Sequence, residues 1–321
     1  MENKNLIIFI VLSAIIFGAW QFLYVIPYQQ KQAAIQQTTQ QQTTNAQSAP
    51  AAQSAAGNAA PGAAATPVQA KTRPEALAMS PRVAIDTPRL KGSIALKAGR
   101  LDDLVLKDYR ETVEPNSPLV VLLSPSGGPD PYFTEVGFPS ANTGIKLPDN
   151  ETLWQADGAT LAPGHDVTLT WDNGAGLAFK RVFSVDENYM FTVTQSVENK
   201  GSAPVNVVPY ARVKRTGTPP NVSQSYVLFE GLIGRIGDKV IEEKYSSLKS
   251  AAGKGDTPAT VDAQGSGGWL GVSDKYWLVA QTAPKDEPLS THFFYLEQDN
   301  SYQADYTGAG VGQPWPVLTG E

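Results

Sequence analysis

One stretch limits the possible folds of this chain more than any other. From Leu6 to Ile26 it reads LIIFIVLSAIIFGAWQFLYVI, 21 residues without a charge and with only Ser13 and Gln21 clearly polar. At about 1.5 Å per residue, a helix of that length measures roughly 31 Å, close to the hydrocarbon thickness of a bilayer. Trp20 and Tyr24 lie toward one end, where amphipathic rings favour the headgroup level, and Pro27 stops the helix. A cleaved secretory signal has an apolar core of about 7–15 residues behind a basic start. Here the run is longer, and Glu2 offsets Lys4. The expectation is an uncleaved transmembrane anchor. Lys4 on one side faces Lys31 on the other, so flanking charge does not orient it.

Past the anchor the composition changes twice. Residues 27–70 are mostly Gln, Ala, Thr, Ser and Pro, with Lys31 the sole charge. So little apolar bulk cannot pack a core, and a disordered linker is expected. Charges return at Lys71, and the prolines at 74, 81 and 88 lead into patterned sequence. The resulting division is a tail at 1–5, an anchor at 6–26, a linker at 27–70 and a folded domain at 71–321.

The folded part reads as β. HDVTLTWD, from His165 to Asp172, puts Val167, Leu169 and Trp171 on one face and threonines and aspartates on the other. Asn173-Gly174-Ala175-Gly176 is a turn, and a strand restarts from Leu177 to Val185. Tyr189, Phe191, Val193 and Val197 then share a face, and another strand is expected over 204–216. Trp171, Phe191 and Val193 are expected in the core. Further strands are expected at 269–272, 276–282, 292–298 and 302–306. The one helix-like stretch is 240–250, where Ile241, Tyr245 and Leu248 share a face. Short strands with turns between them, and no interleaved helices, predict a mainly β fold, an antiparallel β-sandwich.

Chemistry-bearing motifs are sparse. The net charge of −6 argues against a nucleic-acid partner, and zero cysteine removes thiolate chemistry and disulfides. Two histidines, His165 and His292, leave little for a metal site or a proton relay. No catalytic, cofactor or metal residue is assigned. Ser126-Gly127-Gly128-Pro129 and Gly265-Ser266-Gly267-Gly268 lack the Lys-Ser/Thr of a P-loop and read as turns. Asp102-Asp103 and Glu242-Glu243 read as solvated surface. Arg212, Lys214 and Arg215 form a small basic stripe, with Arg212 and Lys214 on one strand face; an exposed sheet face explains it, with a partner contact as the alternative. Trp269, Tyr276 and Trp277 fit core packing, or the aromatic lining of a ligand groove.

Several segments, in order along the chain, carry a resemblance. They are the anchor ending in Trp20-Gln21-Phe22-Leu23-Tyr24, LDDLVLKDY from Leu101, LLSP from Leu122, FTVTQSVEN from Phe191, Phe229-Glu230-Gly231, and GGWLG from Gly267 followed by Lys275-Tyr276-Trp277. Together they resemble the YidC membrane-protein insertase family. The resemblance implies an inner-membrane protein with its amino terminus in the cytoplasm. It also implies a large periplasmic β-supersandwich, similar to galactose mutarotases. Implied partners are Sec translocon accessory subunits, nascent membrane proteins and, through residues 6–26, the lipid bilayer.

The family continues into five further transmembrane helices. Here no apolar run after Ile26 approaches 18 residues. The expectation is therefore a truncated or partial insertase, acting only as a tethered periplasmic interaction domain without enzymatic activity. The alternative is a membrane-anchored carbohydrate-binding or mutarotase-like protein, in which His165, His292 and Glu297 would converge. His292 and Glu297 are five residues apart and fall on opposite faces of a regular strand, which weakens that alternative.

Overall fold

Alternating side chains dominate the sequence from Arg82 onward, and the backbone follows them. A computed structural model describes residues 71–138, 144–219, 229–252, 259–308 and 315–317. The expected anchor and linker lie outside the described residues. Among the described residues no helix is long and apolar enough to cross a membrane.

The elements begin with α1 (Arg73–Leu77), β1 (Arg82–Asp86), β2 (Leu90–Ala95), β3 (Arg100–Arg110), β4 (Leu119–Leu123) and β5 (Tyr132–Gly137). The short strands β6 (Gln155–Ala156) and β7 (Thr160–Leu161) follow, then β8 (Val167–Asp172), β9 (Leu177–Val185), β10 (Phe191–Asn199), β11 (Val205–Val207) and β12 (Tyr210–Thr216). The last group is β13 (Gly231–Ile236), β14 (Lys239–Lys244), α2 (Tyr245–Ala251), β15 (Ala259–Asp274), β16 (Trp277–Leu296), β17 (Ser301–Gly308) and β18 (Trp315–Val317).

Twelve strands form one sheet in the order β14-β13-β15-β16-β17-β12-β5-β3-β2-β1-β7, with β4 paired to β3. Every pairing in it is antiparallel except β1 with β7. A second sheet has the order β10-β9-β8-β6, and β11 pairs with β18. One hydrophobic cluster joins the two larger sheets: Ile85, Ile94 and Leu101 from the large one meet Leu169, Phe179 and Phe183 from the small one. Two sheets sharing one apolar interior fit the expected sandwich.

Arg181 ties the sheets together. It sits on the apolar face of β9 between Phe179 and Phe183 and is buried. Its Nη1 donates to the carbonyls of Ala98 (2.8 Å) and Gly99 (3.0 Å), in the tight turn between β2 and β3. The guanidinium stacks 4.3 Å from the ring centroid of Trp154, the largest fully buried side chain among the described residues. Gly99 takes φ +61°, and a Cβ there would lie 2.6 Å from the Arg181 Nη1, so a bare backbone is needed for the clamp to close.

Four expectations need correction. Trp171, Phe191 and Val193 are on the expected faces but only half-buried against the core, because the small sheet has few strands and β10 is its edge. The stretch 240–250 is not one helix. Gly237 (φ +55°) turns the chain so that β14 pairs back on β13, and helix starts only at Tyr245. Asp102 and Asp103 are buried rather than solvated: a bulge in the β2–β3 pairing turns both inward, onto Arg82 and Arg73 respectively. Gly265-Ser266-Gly267-Gly268 is not a turn but lies within β15, where a bulge falls between Ser266 and Gly268 opposite β16.

Candidate interaction site

Residues 210–216 distribute their side chains to both faces of the large sheet. Tyr210, Arg212 and Lys214 project to one face, and Ala211, Val213 and Arg215 to the other. Arg212 and Lys214 thus share a face, as alternation along the strand implies, and Arg215 lies on the other.

On the first face a row of alternating charge crosses five strands. The registers set Glu135 of β5 beside Arg212 of β12, Arg212 beside Asp305 of β17, Asp305 beside His292 of β16, and His292 beside Asp262 of β15. Glu135 is the deepest member at 4% exposure. Its carboxylate meets Arg100 at 2.5 Å and Arg212 at 2.7 Å, and it accepts a hydrogen bond from the Tyr210 hydroxyl. Burial pushes its pKa up, but the two guanidiniums and the phenol outweigh burial and hold the carboxyl below its ordinary range. Burial, with the neighbouring Glu135 charge, pushes the Tyr210 phenol well up. Asp305 bridges His292 Nδ1 (2.9 Å) and Gln303 Nε2 (2.6 Å). That hydrogen bond raises the His292 pKa against a smaller opposing effect of burial. Lys214 extends to Asp299 at 2.6 Å.

Arg215 lies on the opposite face and is buried. It pairs with Asp274 at 3.0 Å and stacks 5.1 Å from the Tyr132 ring centroid. The Tyr245 hydroxyl donates to Asp274 at 2.6 Å. Burial dominates at Asp274 and raises its pKa despite Arg215 and Tyr245. Tyr132, Arg215 and Asp274 line a cavity of about 330 Å³ whose wall also includes Arg73, Val121, Leu122 and Trp277.

The three expected groove aromatics do not come together. Trp269 and Trp277 project to opposite faces of the hairpin, since Trp277 pairs with Asp274 and Trp269 with Thr282. Tyr276 occupies the turn at φ +75° and is 73% exposed. Only Trp277 lines the cavity, stacked edge-on against Tyr109 at 4.9 Å. The carbohydrate constellation is likewise dispersed. His165 is exposed in the turn between β7 and β8, His292 is tied into the charged row, and Glu297 is exposed beyond the end of β16.

The ions of the first face neutralise one another. Such a set holds register and presents a polar surface; its Glu135 carboxylate is already engaged by Arg100 and Arg212, and Asp305 by His292 and Gln303. Sequence reading missed Glu135, Arg100 and Asp305, although a carboxylate inside Tyr-Phe-Thr-Glu-Val-Gly was a signal that some cation must face it. Among the described residues no cluster of His, Asp and Glu is arranged to hold a metal.

Residues 82–313 match the family profile of the YidC periplasmic domain. The chain is 48% identical over 309 residues to the membrane protein insertase YidC of Nitrobacter hamburgensis, an alignment covering 95% of this chain and 49% of that protein. It is 43% identical over 318 residues to the protein of the same name from Bradyrhizobium diazoefficiens, covering 95% of this chain and 50% of the relative. The Rhizobium johnstonii protein of that name is 44% identical over 311 residues, with 95% and 51% covered. The chain thus spans about half the length of the curated relatives it matches. With an antiparallel β fold and this match over most of its length, the chain belongs to the YidC membrane protein insertase family.

Proposed function

We propose that this chain supplies the tethered periplasmic part of a membrane-protein insertase. It assists insertion and folding of inner-membrane proteins together with the Sec translocon. Residues 1–5 lie in the cytoplasm, 6–26 span the inner membrane, 27–70 are a linker, and 71–321 form a periplasmic supersandwich of the galactose-mutarotase type. The domain binds partners, translocon accessory subunits and nascent chains, and catalyses no reaction. The single observation that carries this reading is identity of about 43% to named insertases across 95% of the chain.

Physical chemistry supports binding over insertion for these 321 residues. Placing a charged segment in a bilayer costs at least about 2.5–3.5 kcal/mol per charge, and polar or charged groups facing the interior of a helix bundle offset it. One apolar helix has no charge to offer and no partner helix with which to enclose water. The Arg212/Lys214 face and the sheet edges remain available for protein contacts.

The test is complementation in cells depleted of their own insertase, with insertion of a small phage coat protein as readout. A polypeptide of residues 1–321 is expected to leave insertion unrestored while co-purifying with translocon subunits. Restored insertion overturns the reading, and so does loss of the translocon from the purified material.

A further inference from the structure

The cavity beside Arg215 takes no part in the charged row, and its own charges do not balance. Two guanidiniums line it, and each already has a carboxylate: Arg73 pairs with Asp103, and Arg215 with Asp274 at 3.0 Å. Two further carboxylates line the same cavity, Glu111 just past the end of β3 and Asp130 in the turn between β4 and β5. Both are exposed, and neither has a counter-ion among the described residues. The neighbouring cations are engaged elsewhere. Arg110 donates to the Ser117 carbonyl at 2.6 Å, and the Lys275 ammonium stands 5.4 Å from the Tyr276 ring centroid. The cavity therefore carries surplus negative charge.

Its walls and its buried donors narrow the occupant further. Val121 and Leu122 offer apolar surface, and Trp277 offers an indole, the ring that attracts cations best. Trp277 meets Tyr109 edge-on, and no cation of the described residues stacks on it. The Arg215 side chain is only 10% exposed and its Nε–H has no acceptor; the Arg73 Nε–H lacks one too. Buried donors without acceptors are rare and destabilising, so two on one cavity point to an acceptor that a ligand brings. An anion supplies the acceptor but leaves Glu111 and Asp130 unpaired. A small cation satisfies the carboxylates but leaves both donors empty. A cation on an apolar stem with a carbonyl close by meets every need, and that is a basic residue within a polypeptide. At about 330 Å³ the cavity lies at the small end of ligand sites and admits a side chain with its flanking peptide groups rather than a folded element.

We propose that this cavity binds a Lys or Arg of an extended polypeptide. The charged head pairs with Glu111 and Asp130 and faces Trp277, and the stem lies along Val121 and Leu122. A carbonyl of the same segment accepts from Arg73 or Arg215. The site needs neither membrane nor translocon, so its failure and the failure of the insertase reading are separate results.

The probes are blocked, fluorescent peptides of Gly and Ser with one central Lys, and the same peptides with norleucine or Glu in its place. Each is titrated with the full chain in non-ionic detergent micelles and followed by anisotropy. The Lys peptide is expected to bind about tenfold more tightly than the norleucine peptide and to weaken as salt rises, and the Glu peptide should not bind. Glu111→Gln combined with Asp130→Asn should lower Lys-peptide affinity about tenfold. Both side chains are exposed, and Asn tolerates the φ of +47° at position 130, so thermal unfolding should stay unchanged. Glu187→Gln combined with Glu242→Gln removes the same charge from exposed sites outside the cavity and should leave binding as it was. Butylammonium, a cationic stem without a carbonyl, should compete only at far higher concentration than the peptide.

Absence of binding by the Lys peptide overturns the site, and so does equal binding of the Lys and norleucine peptides. Equal loss in the two double variants overturns it in favour of non-specific attraction to an acidic chain. Butylammonium competing as strongly as the peptide overturns the polypeptide in favour of a small organic cation.

Discussion

Glu135 shows what a single buried charge can do for this domain. Its carboxylate lies between Arg100 and Arg212 with almost no solvent access. Glu135→Ala leaves two guanidiniums without their counter-ion and is expected to cost about 3–5 kcal/mol, read as a lowered urea midpoint. Its folded pKa is depressed, so the stability it adds is complete above the ordinary carboxyl pKa, about 4.3, and is lost as pH falls through the lower folded value. The acid limb of a plot of midpoint against pH should flatten in the variant; an unchanged limb contradicts the assignment. His292 works with the opposite sign. Its folded pKa is raised, mainly by the hydrogen bond to Asp305, so its contribution is complete below about 6.5 and is lost as pH rises through the folded value. In proton NMR the imidazole should titrate above 6.5, and Asp305→Asn should bring the midpoint down. Neither behaviour was legible in the sequence. It depends on cross-strand registers between residues up to 77 positions apart.

Among the elements, the β15–β16 pair depends most on glycine. Gly268 has φ +124°, and a Cβ there would lie 2.0 Å from the Arg235 carbonyl oxygen on the neighbouring β13. Gly268→Ala is expected to cost about 1–3 kcal/mol from backbone strain alone, with further loss from the collision. A thermal midpoint unchanged within error would show that the bulge can relax. Sequence reading found both ends of β16 and the last part of β15, and missed residues 259–268 and the middle of β16. Residues 283–291 carry prolines and charges that break alternation; Ala283 and residues 288–291 pair with β15, and 289–291 also with β17. Strands β8 and β9 were legible nearly to the residue, because one of their faces is buried and alternation is then obligatory. The same alternation gave the faces of Trp171 and Phe191 but not their depth, which depends on how many strands flank them.

At the scale of the whole molecule, the coupling of the two sheets rests on Arg181 and Trp154. Burial lowers the pKa of Arg181 to about 10, which still leaves it charged at neutral pH. Arg181→Met removes the donors to two buried carbonyls, each worth about 1–3 kcal/mol when orphaned. Amide hydrogen exchange should accelerate in β8–β10 before it changes in β12 and β17. Uniform acceleration would mean that the two sheets open as one unit. Trp154→Ala should cost about 3–5 kcal/mol, and Trp171→Ala about half that, because only Trp154 is fully enclosed. The sequence alone determined the β class, the faces of its regular strands and the family, since alternation and motif order are local properties that survive without a fold. Tertiary structure alone decided that Asp102 and Asp103 are interior, that Arg212 pairs with Glu135 and Arg215 with Asp274, and that Trp269 and Trp277 never share a groove. Burial and ion pairing are set by which distant strands become neighbours, and no window of sequence contains that information.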